Sequence, residues 1–469
     1  MANASRWLIS QTKTNPGTSM NIRTRVGLAA AVSVYASGAS AQAVLTLYGN
    51  IDTAVDTTHK TTGSAGTPMG ASAALIFPPG SAGTRTRVTQ SLSRTNTLGF
   101  KGREDLGGGY AAGFILESQP GSDDGTLSQD GRFFGKQAMV YVTTPGGEVR
   151  MGRQYAPMFF SFAAGTPDGL AGTDLFTAGL VTNTLQIRQD NQISYWARVG
   201  GFAAAVSYSP NAGVSRIVSP ARGSAVTAST GSMLGAAGAG AEASRSESGG
   251  KRGRSGGLFL GYSAPTFSLS AGFHYNEFDA PVLSQGGSIF ELDRYWGVAL
   301  SGKYMLSVDG PSLHAMVHEG RYFDGDVLNL PGQPPLSLPG AGGFDPKIQT
   351  FVVGARVPVG NFVWIGEAGE SRFTNFTRGK NRGISLGVDY QLSKRTVLYS
   401  RLAVAEDRQG SVLPIMGVTP TGGRPINVSG GPDAILAALG LRETPAFNGV
   451  GISPDGSSSI LALGIRHSF

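Results

Sequence analysis

The chain has 469 residues with 70 glycines, no cysteine and a formal net charge of +7, and only 15% of its residues are charged. Its mean hydropathy is −0.03, so apolar and polar residues balance over the whole length. The absence of cysteine excludes disulfide frameworks, thiolate metal sites and cysteine nucleophiles. Ordinary enzymes of this size are richer in Leu, Glu and Lys, so the composition favours a protein of many strands and many turns.

The N-terminal region has the three parts of a secretory signal peptide. Basic residues follow Met20, an apolar run covers residues 26–35, and small residues occupy 38–41. The apolar run is about half the roughly 20 residues that a membrane-spanning helix needs. We therefore expect an N-terminal extension and signal over 1–41, with Met20 as the true start, and a mature domain over 42–469. Cleavage is expected after Ala41, with Ala43 as the alternative.

Removal of residues 1–41 would also remove four basic residues and no acidic one: Arg6, Lys13, Arg23 and Arg25. The net charge then falls from +7 to +3 (7 − 4 = 3). A nucleic-acid partner is not expected, because most of the surplus charge lies in the removed segment and an exported protein meets no chromosome.

Residues 267–276, 295–304 and 384–390 alternate apolar residues with small or polar ones. Strands of about ten residues with one apolar face can cross the hydrocarbon layer when tilted. The polar face of a soluble β protein would be rich in Lys, Glu and Arg, whereas here it is mainly Ser, Gly, Ala and Thr. Aromatic residues lie near the strand ends, as in interfacial girdles: Tyr275, Trp296, Tyr304 and Tyr390.

The pattern predicts an all-β fold, a transmembrane antiparallel β-barrel of 16 strands. The predicted strands cover residues 43–56, 93–104, 109–118, 132–143, 147–155, 189–198, 201–209, 255–264, 266–276, 294–306, 311–322, 347–358, 361–372, 381–392, 395–406 and 458–469. Short and long connections alternate, which indicates short periplasmic turns and long extracellular loops. The two longest connections, 210–254 and 407–457, would be unusual in a compact soluble domain.

An enzyme would need a catalytic triad or a metal cluster, and the sequence contains only five histidines. His314 and His318 could share a metal on a helix, but on a strand such residues are roughly 13 Å apart. The glycines at 107–109 could suggest a phosphate cradle, yet no Lys-Ser pair or helix pattern follows them. We therefore expect no enzymatic activity, no catalytic residue, no metal site and no cofactor.

The last strand and several short motifs form a recognisable set. The last strand places Leu461, Leu463, Ile465, His467 and Phe469 on one face and ends in an aromatic residue. The motifs are Leu45-Thr-Leu-Tyr-Gly-Asn-Ile-Asp52, Leu98-Gly-Phe-Lys-Gly-Arg-Glu-Asp-Leu-Gly-Gly-Gly109, Phe134-Gly-Lys-Gln-Ala138, Met151-Gly-Arg-Gln-Tyr155 and Gly464-Ile-Arg-His-Ser-Phe469. They cover the first third of the chain and its last strand, and together they resemble the Gram-negative general porins, particularly the β-proteobacterial type.

The resemblance implies an outer-membrane porin through which small hydrophilic solutes and ions diffuse passively. It implies a homotrimer of 16-stranded barrels, each narrowed by an inward-folded third loop whose acidic residues face basic residues of the wall. It also implies contact with outer-membrane lipid and lipopolysaccharide. The barrel-assembly machinery would recognise the last strand through Leu463, Ile465 and Phe469.

Carried over by position, the third loop covers roughly 156–187. Its candidate residues for the constriction are the acids Asp168 and Asp174 and the aromatics Phe159, Phe160 and Phe162, and the loop also carries Phe176. The basic candidates on the wall are Arg94, Lys101, Arg103, Lys136, Arg150, Arg153 and Arg188. Opposed fixed charges would orient dipolar solutes and penalise apolar ones.

The sequence departs from the family at two points. Thr97 stands where relatives often have Arg, and the third loop is poor in acids and rich in phenylalanine. We therefore expect a weak preference for anions. Two alternatives remain: a substrate-specific channel of the same architecture, for which the loop phenylalanines are the only hint, and an adhesin or purely structural barrel.

Overall fold

The computed structural model describes the chain from residue 44 to its C-terminal residue, with gaps. The described residues are 44–61, 83–127, 132–168, 188–210, 212, 226–227, 254–277, 290–291, 294–323, 325–327, 342–344, 347–374, 379–408, 425–426, 444–447, 450–452 and 456–469. The expected signal segment over 1–41, and Asp174 and Phe176 of the third loop, lie outside them.

Seventeen of the described strands join one sheet: β1 (Val44–Thr61), β2 (Gly83–Gln90), β3 (Thr97–Gly107), β4 (Tyr110–Ser118), β5 (Gln137–Thr144), β6 (Gly147–Tyr155), β7 (Arg188–Val199), β8 (Phe202–Ser209), β10 (Ser255–Ser263), β11 (Phe267–Glu277), β13 (Arg294–Met305), β14 (Ser312–Phe323), β17 (Lys347–Val359), β18 (Phe362–Thr374), β19 (Gly379–Gln391), β20 (Thr396–Arg408) and β24 (Ser457–Ser468). Short strands outside this sheet are β9 (Val226–Thr227), β12 (Phe290–Glu291), β15 (Gly325–Val327), β16 (Gly342–Phe344), β21 (Pro425–Ile426), β22 (Thr444–Phe447) and β23 (Val450–Ile452). One helical turn, α1 (Phe159–Phe162), follows β6.

The sheet closes on itself as an antiparallel barrel. Apart from β2 and β3, which both pair with β1, each strand of this sheet pairs with the next sheet strand along the chain. The first and last strands close the sheet, because β1 pairs with β24 from Asn50↔Ser468 to Thr61↔Ser457. Strands β2 and β3 share one barrel position, because β3 pairs with the first half of β1 and β2 with its second half. The barrel therefore has the 16 positions that the sequence predicts. The predicted second strand, 93–104, is a strand only from residue 97, because residues 91–96 form a bend. The strand before this bend, β2, was not predicted.

Connections at one end of the barrel, the turn end, are tight, and those at the other end, the loop end, are long. Gly200 and Gly360 sit in two of the tight turns with φ of 57° and 58°, a left-handed conformation that favours glycine. The C-terminal Phe469 also lies at the turn end, where its backbone exchanges hydrogen bonds with Gly49 of 3.0 and 3.2 Å. A Cβ at Gly49 would lie 2.7 Å from the Phe469 ring, so the missing side chain makes room for that ring.

Side chains alternate between the two surfaces of the barrel. In β13, Val298 and Leu300 are exposed on the outside, whereas Ala299 and Ser301 are buried on the inside. The same alternation leaves Ile384 of β19 exposed on the outside. The outer surface is thus a belt of apolar residues, and the inner surface carries small and polar ones, as predicted. No helix in the described part of the chain is long and apolar enough to cross a membrane.

Candidate functional site

The third loop leaves β6 and lies against the inner surface of the barrel. Its described part, residues 156–168, passes strands β10, β11, β13, β14 and β17 in turn, and its end reaches β20. Glycines in the wall make room for the loop. A Cβ atom would lie 2.9 Å or less from the loop at each of three wall positions: Gly257 against Pro157, Gly272 against Ser161, and Gly354 against Pro167. The loop backbone therefore approaches the strands more closely than any side chain would allow.

Polar side chains of the wall hold the loop in this path. Ser270 Oγ of β11 donates to the carbonyl oxygen of Ser161 at 3.1 Å, and Ser301 of β13 donates to the same oxygen. The Nδ1 atom of His314 lies 3.0 Å from the carbonyl oxygen of Ala164. These contacts satisfy loop carbonyls that would otherwise face an apolar or crowded surface.

The end of the described loop is fixed by an ion-pair network. Arg401 of β20 donates to Asp168 from Nε at 2.8 Å and from Nη2 at 2.9 Å, a bidentate arrangement. Its Nη1 atom lies 2.8 Å from Asp389 of β19, and Asp389 is 3.6 Å from Nη2 of Arg466 on β24. The Arg401 side chain is fully buried. The charge of Asp168 is thus compensated by a wall arginine that the sequence did not single out.

A second network holds the bend between β2 and β3. The Asp52 carboxylate accepts from the backbone N–H groups of Ser93 and Arg94 at 2.9 and 2.6 Å, and from the hydroxyl of Tyr399. Arg94 interacts electrostatically with Arg466, Asp389 and Asp168. The bend therefore places Arg94, a predicted constriction residue, beside the end of the third loop.

Lys136 lies just before β5, and its ammonium group is buried. It donates to Thr97 Oγ1 at 2.5 Å and to the carbonyl oxygen of Asn96 at 3.3 Å. Burial lowers the pKa of Lys136 below its usual value, and the positive charges of Arg188 and Arg94 act in the same direction. Thr97, the residue that replaces the family's arginine, therefore serves as a hydrogen-bond partner of this lysine.

The start of the third loop is aromatic rather than charged. Tyr155 stacks on Phe159 with ring centroids 4.7 Å apart, and Phe160 meets Trp196 of β7 edge-on at 4.9 Å. Phe159 and Phe160 are half-buried, so part of each ring faces the lumen. Phe162, by contrast, is fully buried behind the loop against His318 at 5.9 Å.

The predicted basic residues do not form a single group. Arg188 lies over the Tyr155 ring at 4.8 Å, and Arg150 lies over Trp196 at 4.7 Å, so both border the aromatic start of the loop. The Nζ atom of Lys101 lies 5.1 Å from the ring centroid of Tyr48. The Tyr48 hydroxyl in turn donates to Glu117.

Arg103 and Arg153 make contacts of other kinds. Arg103 is exposed and lies 3.5 Å from Thr143 Oγ1, towards the turn end. Arg153 binds Asp190 and the carbonyl oxygen of Gly135, and Arg132 shares the same Asp190 at 3.0 Å. No ion pair joins Arg103 or Arg153 to Asp168 within the described ranges.

The two closely spaced histidines both lie behind the third loop. His314 contacts Ser312 at 2.9 Å in addition to Ala164, and Nε2 of His318 lies 3.3 Å from the hydroxyl of Tyr295. Within the described ranges, no three His, Asp or Glu side chains are grouped closely enough to hold a metal ion.

Four charged residues of the two networks around Asp168 and Asp52 were missed by sequence reasoning. They are Asp52, Asp389, Arg401 and Arg466. Asp52 and Arg466 lie within the quoted motifs, and each of the four occupies a lumen-facing position of an alternating strand. A charge on the small-residue face in the middle of a strand is the signal that could have identified them.

The chain matches a family described as Gram-negative porin over residues 27–410. It is 26% identical over 453 residues to outer membrane porin protein 32 of Delftia acidovorans, covering 94% of this chain and 99% of that protein. It is also 27% identical over 389 residues to an outer membrane porin protein of Bordetella pertussis, covering 79% and 91% respectively.

Solved structures share the fold at lower identity. An anion-selective porin from Comamonas acidovorans superposes with a TM-score of 0.59 at 21% identity, over 91% of this chain and 100% of that one. The trimer form of the Vibrio cholerae outer membrane protein OmpT gives 0.52 at 11% identity, over 91% and 99%. These matches establish the barrel fold.

Proposed function

The chain belongs to the Gram-negative porin family and is an outer-membrane channel, and we propose that the third loop and the charges around it give the channel a weak preference for anions. Its solutes are small and hydrophilic, and they cross the lumen by passive diffusion without any chemical step. The anion-selective porin from Comamonas acidovorans shares the fold, which agrees with this proposal.

One observation carries the proposal: the acid of the described third loop is already neutralised. Asp168 binds Arg401 in a bidentate pair, and Arg401 also pairs with Asp389. A loop acid that is compensated in this way attracts cations only weakly. The basic residues that remain around it therefore determine the sign of the local potential.

The charges linked to Asp168, Arg94 and Lys136 by ion pairs or electrostatic contact are mainly basic. Within the described residues, this lumen charge cluster contains six basic side chains, Arg94, Lys136, Arg188, Arg356, Arg401 and Arg466, and four acidic ones, Asp52, Glu117, Asp168 and Asp389. The excess of two positive charges (6 − 4 = 2) favours anions. The preference is weak because most of the charges are paired.

The experiment is a reversal-potential measurement on protein purified from the outer membrane of a porin-deficient host. Single channels are recorded in a planar bilayer under a potassium chloride gradient. The expected result is ohmic channels with a small reversal potential of the sign for chloride permeation. A reversal potential of the cation-selective sign would contradict the anion preference, and folded protein without channels would contradict the assignment as a diffusion channel.

We further propose that the channel is a homotrimer inserted in lipid and lipopolysaccharide. The apolar outer belt provides a surface for both lipid and subunit contact, and OmpT of Vibrio cholerae has a trimer form. Cross-linking of the purified protein should yield a three-subunit band, and conductance steps should occur in multiples of three. A purified protein that stays monomeric at all detergent concentrations would contradict this proposal.

Export and insertion are proposed to depend on the two ends of the chain. Residues 1–41 would be removed after Ala41, and Leu463, Ile465 and Phe469 would present an apolar face to the assembly machinery. Leu463 and Ile465 are exposed on the outer surface of β24, and Phe469, which follows the strand, is exposed as well, which agrees with that role. N-terminal sequencing of the mature protein tests the cleavage, and deletion of Phe469 should lower the amount of inserted barrel.

A further inference from the structure

A continuous row of aromatic rings runs along the lumen between two arginines. At one end, the guanidinium carbon of Arg188 lies 4.8 Å from the ring centroid of Tyr155, and Nη2 donates to the Tyr155 hydroxyl at 3.1 Å. Tyr155 stacks on Phe159 at 4.7 Å, with an angle of 15° between the ring planes. Phe160 continues the row at 6.0 Å from Tyr155.

At its other end the row reaches the wall strands. Phe160 meets Trp196 edge-on at 4.9 Å, and Phe259 of β10 flanks Trp196 at 6.1 Å. The guanidinium carbon of Arg150 lies 4.7 Å from the Trp196 ring centroid. We call the five rings and the two flanking arginines the aromatic ladder: Arg188, Tyr155, Phe159, Phe160, Trp196, Phe259 and Arg150.

The ladder runs in the direction in which a solute moves. Tyr155 is the last residue of β6, at the loop end, and Arg150 lies five residues earlier, towards the turn end. Five residues of a strand span about 16 Å. The row therefore begins where the third loop enters the lumen and continues towards the periplasmic mouth.

Part of the ring surface and both cations remain accessible to a solute. Phe159, Phe160 and Trp196 are all half-buried. Nε of Arg150 donates to Glu148 at 2.6 Å, so a passing anion would be bound by its Nη atoms. Rings that are packed against one another on one side and open on the other can stack with a planar solute.

We propose that the aromatic ladder is a binding track for aromatic carboxylates, whose ring contacts Phe159, Phe160 and Trp196 in turn while the carboxylate pairs with Arg188 and then with Arg150. This inference rests on the proposed function and specifies the solute class that the channel prefers. Arg188 matches one negative charge at the loop end, Arg150 offers its Nη atoms beside Glu148 at the other end, and the row between them matches one planar ring. A neutral sugar would bring no negative charge to either arginine.

The experiment compares two anions that block the chloride current. Benzoate and cyclohexanecarboxylate have the same charge and similar size, but only benzoate has a planar π system. Chloride conductance of the full protein is recorded in bilayers while either anion is titrated. A ring contact corresponds to a factor of roughly three to ten in binding, so the half-blocking concentration of benzoate should be lower by about that factor.

Variants assign the preference to the ladder. Phe160→Leu, which keeps the bulk of the side chain, and Trp196→Ala should raise the half-blocking concentration of benzoate to that of cyclohexanecarboxylate. The matched control is Trp364→Ala, because Trp364 is exposed on the outer surface of β18. It should leave the benzoate preference unchanged.

The outcomes separate the ladder from the channel itself. Equal half-blocking concentrations for the two anions in the wild-type channel, or a preference that survives Phe160→Leu, would overturn the aromatic ladder as a binding track and leave the channel assignment intact. Stronger block by glucose than by benzoate would also overturn it. Folded wild-type protein without chloride channels would instead overturn the proposed function.

Discussion

The two ends of the described third loop are held in different ways. Its end, Asp168, is fixed by a fully buried arginine that also binds Asp389. Its start carries no charge over Phe159–Phe162 and touches the wall through rings and backbone carbonyls. The carboxylate at the end of the loop is paired within the protein, whereas the rings at its start are partly exposed to the lumen.

This difference separates positioning from recognition. A buried ion pair adds little net stability, because the attraction between its charges mainly offsets the cost of removing them from water. It still fixes geometry, because breaking it leaves an uncompensated buried charge. We propose that the network around Arg401 sets where the loop lies, and that the half-buried rings and the less compensated cations set which solutes pass. Substitutions at the two ends should accordingly change different measurements.

The largest effect is expected from Arg401→Met. This change removes the cation shared by Asp168 and Asp389 and leaves two buried acids without it, which should lower the free energy of unfolding by about 3–5 kcal/mol. Chemical unfolding followed by tryptophan fluorescence measures that loss. Channel recordings should also show increased current noise and a weaker anion preference, because Asp168 is no longer neutralised.

Arg408→Met is the control for Arg401→Met. Arg408 lies on the same strand and pairs with Glu406 at 3.0 Å, but its side chain is 58% exposed. Exposed ion pairs contribute little, so unfolding should be unchanged. Equal stability losses in the two variants would show that the network does not anchor the loop.

A smaller effect is expected from Gly272→Ala, which tests the path of the loop between its two ends. The new Cβ would lie 2.7 Å from Ser161 Oγ and 2.9 Å from Met158 Cα, so the loop backbone must move. Overpacking of this kind costs about 1–3 kcal/mol. We expect reduced stability and an altered single-channel conductance, whereas Gly366→Ala, whose Cβ would meet its nearest atom at 3.5 Å, should change neither.

The alternating pattern of the sequence was sufficient to predict the barrel. Strand β6 occupies 147–155 as predicted, because its apolar residues alternate with polar ones up to a defined turn. Strand β2 was missed because its sequence, Gly83–Gln90, alternates Thr with Arg and carries few apolar residues. Such a polar extension pairs with β1 through its backbone, and backbone pairing leaves no apolar pattern to detect.

The site was only partly predictable. Asp168 was predicted from its place in the third loop and Arg94 from its place near Thr97, and the structure brings both into the lumen charge cluster. Arg401 was missed because it is 233 positions away from Asp168 in the sequence. Closure of the barrel decides which strands face each other across the lumen. A single sequence therefore does not indicate which wall position the loop reaches.

A change in selectivity without loss of stability is expected from Arg94→Gln. Arg94 belongs to the cluster at the charged end, and its backbone N–H, which the substitution retains, is what binds Asp52. Loss of this charge should reduce the chloride-to-potassium permeability ratio by roughly twofold at low salt, and less at about 1 M salt because of screening. Arg372→Gln at the exposed rim is the charge-matched control and should shift the reversal potential less. Equal shifts would mean that net charge, not position, controls selectivity.

The smallest effect is a dependence of selectivity on pH through Lys136. Burial lowers the pKa of this lysine below its usual value, so it loses its proton at a lower pH than an exposed lysine as the pH rises. Deprotonation removes one positive charge from the lumen charge cluster, and the anion preference should therefore decrease on the alkaline side, before exposed lysines titrate. Reversal potentials recorded between about pH 7 and pH 10, below the usual lysine value, measure this change. Lys136→Met should show the weaker preference at every pH, with no step. A step of the same size in Lys136→Met would assign the titration to another group and would leave the buried lysine a structural role through Thr97.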